Sequence, residues 1–275
     1  MTGLEAALQA ALDERYVVER EIARGGMAAV FLAVPRGGEE RVAIKVLLPE
    51  FARVVGTERF HREIAMLLGL RHANILPLLA SGQAGRLPYY IMPYAAGGSL
   101  QSRLGAPLTE VVAVARDVAA ALDYAHGRNI VHRDIKPENV VFDRGRALVC
   151  DFGVARAIVE AGGEDLSSSG LVVGTPAYMS PEQASGQHEL GPASDLYALG
   201  CVVYEMLVGE PPFTGPTVQA VLARHVAEPP RSLRVVRADV PWHVEEAVLA
   251  ALAKRPEERP ARGAELVAWL AGIAG

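Results

Sequence analysis

The chain has 275 residues, 51% of them hydrophobic and 21% charged, and its formal net charge at pH 7 is −5. This composition is typical of a globular protein, and the length is sufficient for two lobes that each have a core. The negative charge argues against a nucleic-acid-binding protein, because such proteins usually carry a basic patch. Two cysteines, Cys150 and Cys201, are too few for a disulfide framework or a cysteine metal cluster.

The sequence shows neither a signal peptide nor a membrane-spanning run. The N-terminus lacks a basic segment followed by an apolar core, and no run approaches the roughly 20 apolar residues of a membrane span. Both cysteines lie in apolar runs, which favours buried thiols in a reducing compartment. We therefore expect a cytoplasmic chain that is either a soluble protein or a fragment of a longer one.

The N-terminal residues predict a helix. Leu4, Leu8 and Leu12 recur at helical spacing, which predicts a short amphipathic helix over residues 1–14. This helix is either an extension packed on the following lobe or a surface for self-association.

Three strands and a second helix are predicted next. The strands cover residues 16–22, residues 30–34 and the apolar stretch that ends at Lys45. A lysine flanked by apolar residues in a strand is costly unless its charge is paired. Lys45 is therefore either paired or on an edge strand facing solvent. The helix is predicted over residues 57–69, with Thr57 as its cap.

Farther along the chain, apolar periodicity predicts a strand over residues 89–92 and a helix over residues 109–126. Gly127 follows this helix, as is common at helix C-termini. Residues 195–208 are apolar nearly all round, which predicts a buried helix. Two later helices are expected over residues 242–253 and 265–273.

The octapeptide His-Arg-Asp-Ile-Lys-Pro-Glu-Asn, residues 132–139, stands near the middle of the chain. Apolar runs at residues 130–131 and 140–142 flank it, and they predict two short strands with a polar loop between them. A third apolar run, residues 147–150, leads into Asp-Phe-Gly at residues 151–153.

The side chains of these segments suit phosphoryl transfer. Asn139 and Asp151 offer the hard oxygen ligands that a metal bridging phosphates requires. Asp134 can stand beside an acceptor hydroxyl, and Lys136 can balance charge on the transferred group. The alternative is a buried polar loop that has this spacing by chance.

In this order, the motifs resemble a protein kinase catalytic domain, specifically that of a bacterial Ser/Thr kinase of eukaryotic type. The resemblance covers about residues 16–273. It implies an α+β, two-lobed kinase fold, with an antiparallel sheet and one helix in the small lobe and a mainly helical large lobe. We expect one kinase domain over residues 1–275, composed of an N-terminal helix (1–15), a small lobe (16–92), a hinge (93–97) and a large lobe (98–275).

The resemblance assigns catalytic and metal-binding roles to the central segment. Asp134 would orient or deprotonate the hydroxyl, and Lys136 would steady the transferring group. Asn139 and Asp151 would hold the metal.

The resemblance also predicts an ATP site. Lys45 would hold the α- and β-phosphates and pair with Glu63, for which Glu58 is the competitor. The turn before Val30 is similar to the family's glycine-rich loop, of whose three glycines only Gly25 is kept. The other predicted ATP-binding residues are Ile22, Ala23, Arg24, Gly26, Met27, Val30, Ala43, Met92 as gatekeeper, Pro93 and Ala95.

Residues 162–182 resemble a kinase activation segment. Ser167 and Ser169 are the predicted phosphorylation sites, and Arg133 would meet the phosphate. The alternative is a flexible linker in which the serines only contribute to solubility. Thr175 resembles the threonine that bonds the catalytic Asp and Lys in Ser/Thr kinases.

Three charged residues have structural roles by resemblance. Asp195 would bond the backbone of the catalytic loop. Arg259 would pair with Glu182, with both charges buried.

The resemblance implies transfer of the γ-phosphoryl group of ATP to Ser or Thr of proteins, including the chain's own activation loop, in bacterial signalling. ATP and Mg²⁺ are the expected cofactors, with Mn²⁺ as a substitute. Protein substrates are expected rather than nucleic acid, and a homodimer through the small lobe is a further expectation. Two alternatives are a non-catalytic binding scaffold, favoured only by the altered glycine loop, and a kinase that acts on a small molecule.

Overall fold

The computed structural model describes residues 3–54, 60, 64–65, 67–152, 175–187 and 189–273. These residues divide into two compact units. The first unit contains the described parts of residues 1–71 and 76–95, and the second contains residues 72–75, 96–152 and the described part of 174–275.

A five-stranded antiparallel sheet forms the centre of the first unit, in the order β1-β2-β3-β5-β4. Its strands are β1 Tyr16–Arg24, β2 Ala28–Pro35, β3 Val42–Leu47, β4 Ala80–Ala84 and β5 Leu87–Pro93. Phe31, Ile44 and Ile91 lie opposite one another on β2, β3 and β5, and all three are fully buried. This cross-strand row anchors the core, because large apolar side chains on neighbouring strands remove one another from water.

The predicted N-terminal helix is confirmed as α1, Gly3–Leu12, and it packs on this sheet. Leu8 and Leu12 are buried in the sheet's apolar core. The side-chain amide of Gln9 donates to Tyr16 O at 3.1 Å and accepts from Val18 N at 2.8 Å. The helix is therefore tied to β1 by both apolar and polar contacts.

A short helix, α2, covers Pro49–Val54. Of the next predicted helix, positions 60, 64, 65 and 67 are helical, and Phe60 and Ile64 are fully buried. Thr57, Glu58 and Glu63 lie outside the described residues.

The second unit is mainly helical. Its α-helices are α3 Leu108–His126, α4 Pro181–Ala184, α5 Pro192–Val208, α6 Val218–Ala227, α7 Leu233–Val236, α8 Trp242–Ala251 and α9 Gly263–Leu270. Turns of 3₁₀-helix cover Leu100–Arg103, Pro137–Asn139, Pro176–Tyr178 and Pro256–Glu258. Helix α3 packs its apolar stripe against α5 and α9, and α5 is buried nearly all round, as its composition predicted. In the described part of the chain, no helix has both the length and the apolar character needed to cross a membrane.

A two-stranded hairpin, β6 Val140–Asp143 and β7 Arg146–Val149, follows the octapeptide. The strand predicted at residues 130–131 is wrong. Ile130 N donates to Ala125 O at 3.0 Å, so its backbone completes the end of α3 instead of joining a sheet. A run of two apolar residues is too short for its pattern to distinguish a strand from the segment that follows a helix.

Candidate active site

The octapeptide 132–139 connects the end of α3 to the start of β6. Its last three residues form the 3₁₀ turn Pro137–Asn139, with proline in the first turn, where its missing N–H costs no hydrogen bond. Asn139 N donates to Lys136 O at 3.0 Å, and Asn139 O accepts from Cys150 N at 2.9 Å. The end of the loop is thereby joined to the residue that follows β7.

His132 and Asp195 hold the loop from the protein interior. His132 is fully buried, and its Nε2 lies 2.8 Å from Cys150 O while its Nδ1 accepts from Asp134 N at 3.2 Å. Because a carbonyl can only accept, the ring hydrogen is on Nε2. Asp195 is also buried, and its carboxylate accepts from His132 N and from Arg133 N, each at 2.8 Å. The loop's backbone is thus bonded by the buried ring of its own His132 and, from α5, by the buried carboxylate of Asp195.

The structure brings Asp134, Lys136, Asn139 and Thr175 together. Lys136 Nζ lies 2.8 Å from Asp134 Oδ2 and donates to Thr175 Oγ1 at 2.8 Å. Asn139 Nδ2 donates to Asp134 Oδ2 at 3.0 Å and to Asp134 O at 2.8 Å. One carboxylate oxygen is therefore fixed by a cation and an amide, which leaves Oδ1 as the oxygen that would meet a substrate hydroxyl.

Asn139 and Asp151 lie at one end of the β6–β7 hairpin, because Val140 pairs with Val149 in its register. Both predicted ligands are largely buried. Since the Asn139 amide nitrogen serves Asp134, its Oδ1 is the atom that would ligate a cation. Within the described ranges, no group of three or more His, Cys, Asp or Glu side chains is suited to a metal. An amide oxygen and a carboxylate nevertheless fit Mg²⁺, which usually takes few protein ligands and completes its shell with water and phosphate oxygens.

In the first unit, Lys45 lies on β3, the middle strand of the sheet. The interpretation of Lys45 as an edge-strand lysine is therefore wrong, since β2 and β5 both pair with its strand. The side chain is half-buried, and its neighbours Ile44 and Val46 are fully buried. The Lys45–Glu63 ion pair stays a prediction, because Glu63 is outside the described residues.

The turn that resembles a glycine-rich loop joins β1 to β2. Gly25 N donates to Ala28 O at 2.9 Å, which closes the turn. The register places Val30 opposite Lys45 and Ala43 opposite Met92. Of the other predicted ATP-binding residues, Ile22, Ala23 and Arg24 lie on β1, Gly26 and Met27 in the turn, Pro93 at the end of β5, and Ala95 just after it.

Glu182 and Arg259 form the buried ion pair that the resemblance implied. Arg259 donates from Nη1 to Glu182 Oε1 at 2.7 Å and from Nη2 to Oε2 at 2.8 Å. Ser194 Oγ also donates to Glu182 Oε1, at 2.7 Å. Burial alone would raise the pKa of Glu182, but the hydrogen bonds from Arg259 and Ser194 lower that pKa below its ordinary value.

The sequence did not predict two contacts near residues 132–139. His126 Nε2 lies 2.7 Å from Asp195 Oδ2, a contact across 69 positions that no local pattern reveals. Gln183 Nε2 donates to Arg133 O at 2.9 Å. Ser180 and Gln183 form a reciprocal capping box at the start of α4, and this feature was readable as Ser-x-x-Gln.

The predicted phosphorylation sites, Ser167 and Ser169, lie outside the described residues, as does the glycine of Asp-Phe-Gly. Arg133, their predicted partner, has a backbone φ of 71°, which is uncommon for a residue other than glycine. Asp151 has a φ of 63°. Asn129 and Arg144 also have positive φ. Arg133 and Asp151, however, are predicted functional residues, where surrounding structure can maintain strain.

Comparison with known families identifies this arrangement. Residues 16–268 match the family model described as protein kinase domain. The match covers far more than half of the chain, so the chain belongs to the protein kinase domain family.

Known relatives narrow the class. The chain is 38% identical over 269 residues to serine/threonine-protein kinase PknB of Mycolicibacterium smegmatis, covering 94% of this chain and 43% of that protein. It is 40% identical over 268 residues to the DNA damage-responsive serine/threonine-protein kinase RqkA of Deinococcus radiodurans, covering 93% of this chain and 39% of that protein. The chain thus spans about two fifths of the length of these curated relatives. Within the kinase family it is a bacterial, eukaryotic-like Ser/Thr kinase catalytic domain.

Solved structures agree on the fold. The crystal structure of the Mycobacterium tuberculosis PknI kinase domain matches with a TM-score of 0.74 and 28% identity, over 94% of this chain and 96% of that one. A point mutant of the same domain matches with a TM-score of 0.73 and 29% identity. The predicted α+β fold is therefore confirmed.

Proposed function

We propose that this chain transfers the γ-phosphoryl group of Mg²⁺-bound ATP to Ser or Thr hydroxyls of proteins, including its own Ser167 or Ser169. The observation that carries the proposal is the hydrogen-bonded group of Asp134, Lys136 and Thr175. Protein kinases use ATP and a divalent metal, and the relatives' names specify Ser/Thr protein kinases.

In this proposal the chain's own residues do mainly positioning and electrostatic work, as phosphoryl transfer requires. Asp134 would orient the acceptor hydroxyl through Oδ1 and receive its proton, while Lys136 and Asn139 fix Oδ2. Lys136 would also balance negative charge on the transferring group. Asn139 Oδ1 and Asp151 would hold Mg²⁺, which neutralises phosphate charge when bound.

The test is turnover of ATP with a peptide substrate by the parent and by Asp134→Asn. An amide cannot accept the hydroxyl proton, so we expect the rate to fall by about 10²- to 10⁴-fold. Asp143→Asn is the matched control, because Asp143 is a partly exposed carboxylate on β6 outside the proposed machinery. An unchanged rate for Asp134→Asn would refute the role given to Asp134.

Intact mass after incubation with Mg²⁺ and ATP tests the autophosphorylation. We expect phosphate mass to appear on the parent and not on Lys45→Met, with peptide mapping locating it at Ser167 or Ser169. Mass on neither protein, together with no peptide turnover, would favour a non-catalytic scaffold instead.

The proposal also includes the association state and the cellular location of the protein. Self-association through the first unit is proposed from the resemblance, and exposed Val17 and Leu79 offer apolar surface for it. Sedimentation of the purified chain would measure it. A cytoplasmic location is also proposed, because the reaction consumes ATP, and cell fractionation would test it.

A further inference from the structure

Gln183 reaches from helix α4 to the backbone of the catalytic loop. Its Nε2 donates to Arg133 O at 2.9 Å, and its Oε1 accepts from Ser180 N at 3.1 Å. Ser180 Oγ in turn accepts from Gln183 N at 3.3 Å. Both ends of the Gln183 amide are therefore engaged, which fixes the orientation of the side chain.

The bond falls on the peptide group directly before Asp134. That peptide group contains Arg133 O, held by Gln183, and Asp134 N, which donates to His132 Nδ1 at 3.2 Å. A peptide group is planar and rigid, so bonds at its two ends fix its orientation. The orientation of this plane determines the direction in which the Asp134 side chain leaves the backbone.

The conformation being held is an uncommon one. Arg133 has a φ of 71°, in the left-handed region that non-glycine residues occupy only at a cost in free energy. Asp195 fixes the N–H of Arg133 at 2.8 Å, and Gln183 fixes its carbonyl. The two restraints come from different helices, α5 and α4, so the strained residue is held on both sides.

We propose that Gln183 is a positioning residue for catalysis, whose amide N–H orients the Arg133–Asp134 peptide and thereby the Asp134 carboxylate. The inference depends on the proposed function, in which Asp134 meets the substrate hydroxyl. It adds a role for a residue that lies outside the motifs used to recognise the site.

A single substitution separates the two bonds of Gln183. Gln183→Glu keeps an oxygen for Ser180 N, since glutamate serves the capping box as well as glutamine does. It replaces the donor to Arg133 O with a second oxygen, which repels the carbonyl at neutral pH. We expect kcat to fall roughly 10- to 100-fold, as misplacement of a catalytic group does, with the KM for ATP and the melting temperature near those of the parent.

Lowering the pH should restore part of the kcat that Gln183→Glu loses. A protonated glutamic acid has an O–H that can donate to Arg133 O. The ordinary carboxyl pKa of about 4.3 is raised when a carbonyl faces the group, so the activity of Gln183→Glu relative to the parent at the same pH should rise as pH is lowered from about 8 towards about 5.5. Groups that titrate in both proteins cancel in this ratio. Gln183→Met, which lacks the donor at every pH, should show the same loss of kcat without the recovery.

Two controls accompany these variants. Gln187→Glu introduces the same charge at an exposed position three residues beyond α4, and we expect the parent's kcat. Ser180→Ala removes the capping hydroxyl but keeps the Gln183 donor, so it should lower the melting temperature with little change in kcat.

The outcomes distinguish this inference from the proposed function. If Asp134→Asn is inactive while Gln183→Glu and Gln183→Met turn over at the parent rate, the role of Gln183 is refuted alone. A slow Gln183→Glu that melts early and shows no recovery in acid would also refute it, because that pattern is a loss of folding. If Asp134→Asn is as fast as the parent, the proposed function fails, and the inference fails with it.

Discussion

The two polar turns with predicted roles, one catalytic and one in ATP binding, are held in contrasting ways. In the second unit, the backbone of residues 132–139 is bonded by buried groups distant in sequence, among them Asp195. In the first unit, the turn between β1 and β2 is closed by neighbours, with Gly25 N donating to Ala28 O. Residues 132–139 are therefore fixed by the core of the second unit, whereas the β1–β2 turn of the first unit depends on local contacts.

Two ion pairs, one in each unit, also differ in how far they are buried. Glu182–Arg259 and Glu21–Arg24 both have N–O distances of 2.8 Å or less. The side chains of Arg259 and Glu182 are 0% and 7% exposed, whereas those of Arg24 and Glu21 are 45% and 29% exposed. Distance alone does not set the energetic weight of an ion pair, because water screens the exposed pair and desolvation makes the buried one costly to break.

Arg259→Met should have the largest effect on stability. The substitution leaves the buried Glu182 carboxylate without its cation, which typically costs about 3–5 kcal/mol. Urea unfolding at neutral pH would measure the loss. The double variant Glu182→Gln with Arg259→Met removes the orphaned charge and should recover part of the stability. A loss below about 1 kcal/mol, the range of exposed pairs, would show that burial does not make this pair costly to break.

The same pair predicts a pH dependence of intermediate size. The folded pKa of Glu182 is below its ordinary value of 4.5, so the unfolded chain binds the proton more tightly. Its stabilising contribution is therefore complete above pH 4.5 and is lost as pH falls towards the folded pKa. Unfolding midpoints between pH 6 and pH 3 should drop more steeply for the parent than for Glu182→Gln. Parallel curves would refute the assignment.

Glu21→Gln should have the smallest effect. Arg24 is exposed and Glu21 is partly exposed, although the hydrogen bond from Arg24 lowers the pKa of Glu21. We expect no measurable change in the urea midpoint. A clear destabilisation would show that the β1–β2 turn depends on this pair more than its exposure indicates.

The sequence predicted the elements with strong periodicity. The stripe of α3 and the apolar surface of α5 specify buried helices, and both helices were predicted within a few residues of their bounds. Strand β4, with the sequence Ala-Ser-Gly-Gln-Ala, has no alternation. It is a strand because β5 pairs with it, and such pairing cannot be read from its own residues.

The candidate site was predictable where chemistry depends on residue type and local spacing. Asp134, Lys136 and Asn139 are close in sequence, so their meeting in one loop follows from the motif. The contacts of Gln183 with Arg133 and of His126 with Asp195 span 50 and 69 positions. These contacts depend on how helices pack, which one sequence does not specify.

The contact between α1 and β1 has a consequence for assembly. Strand β1 is at an edge of the sheet, and edge strands expose backbone groups that can pair with another chain. Gln9 bonds Tyr16 O and Val18 N, the two groups that one residue of a parallel neighbouring strand would bond. Its side chain therefore occupies the place of an incoming strand. Strand addition at the start of β1 is therefore blocked, and two copies that met at this point would have to associate through side-chain contacts.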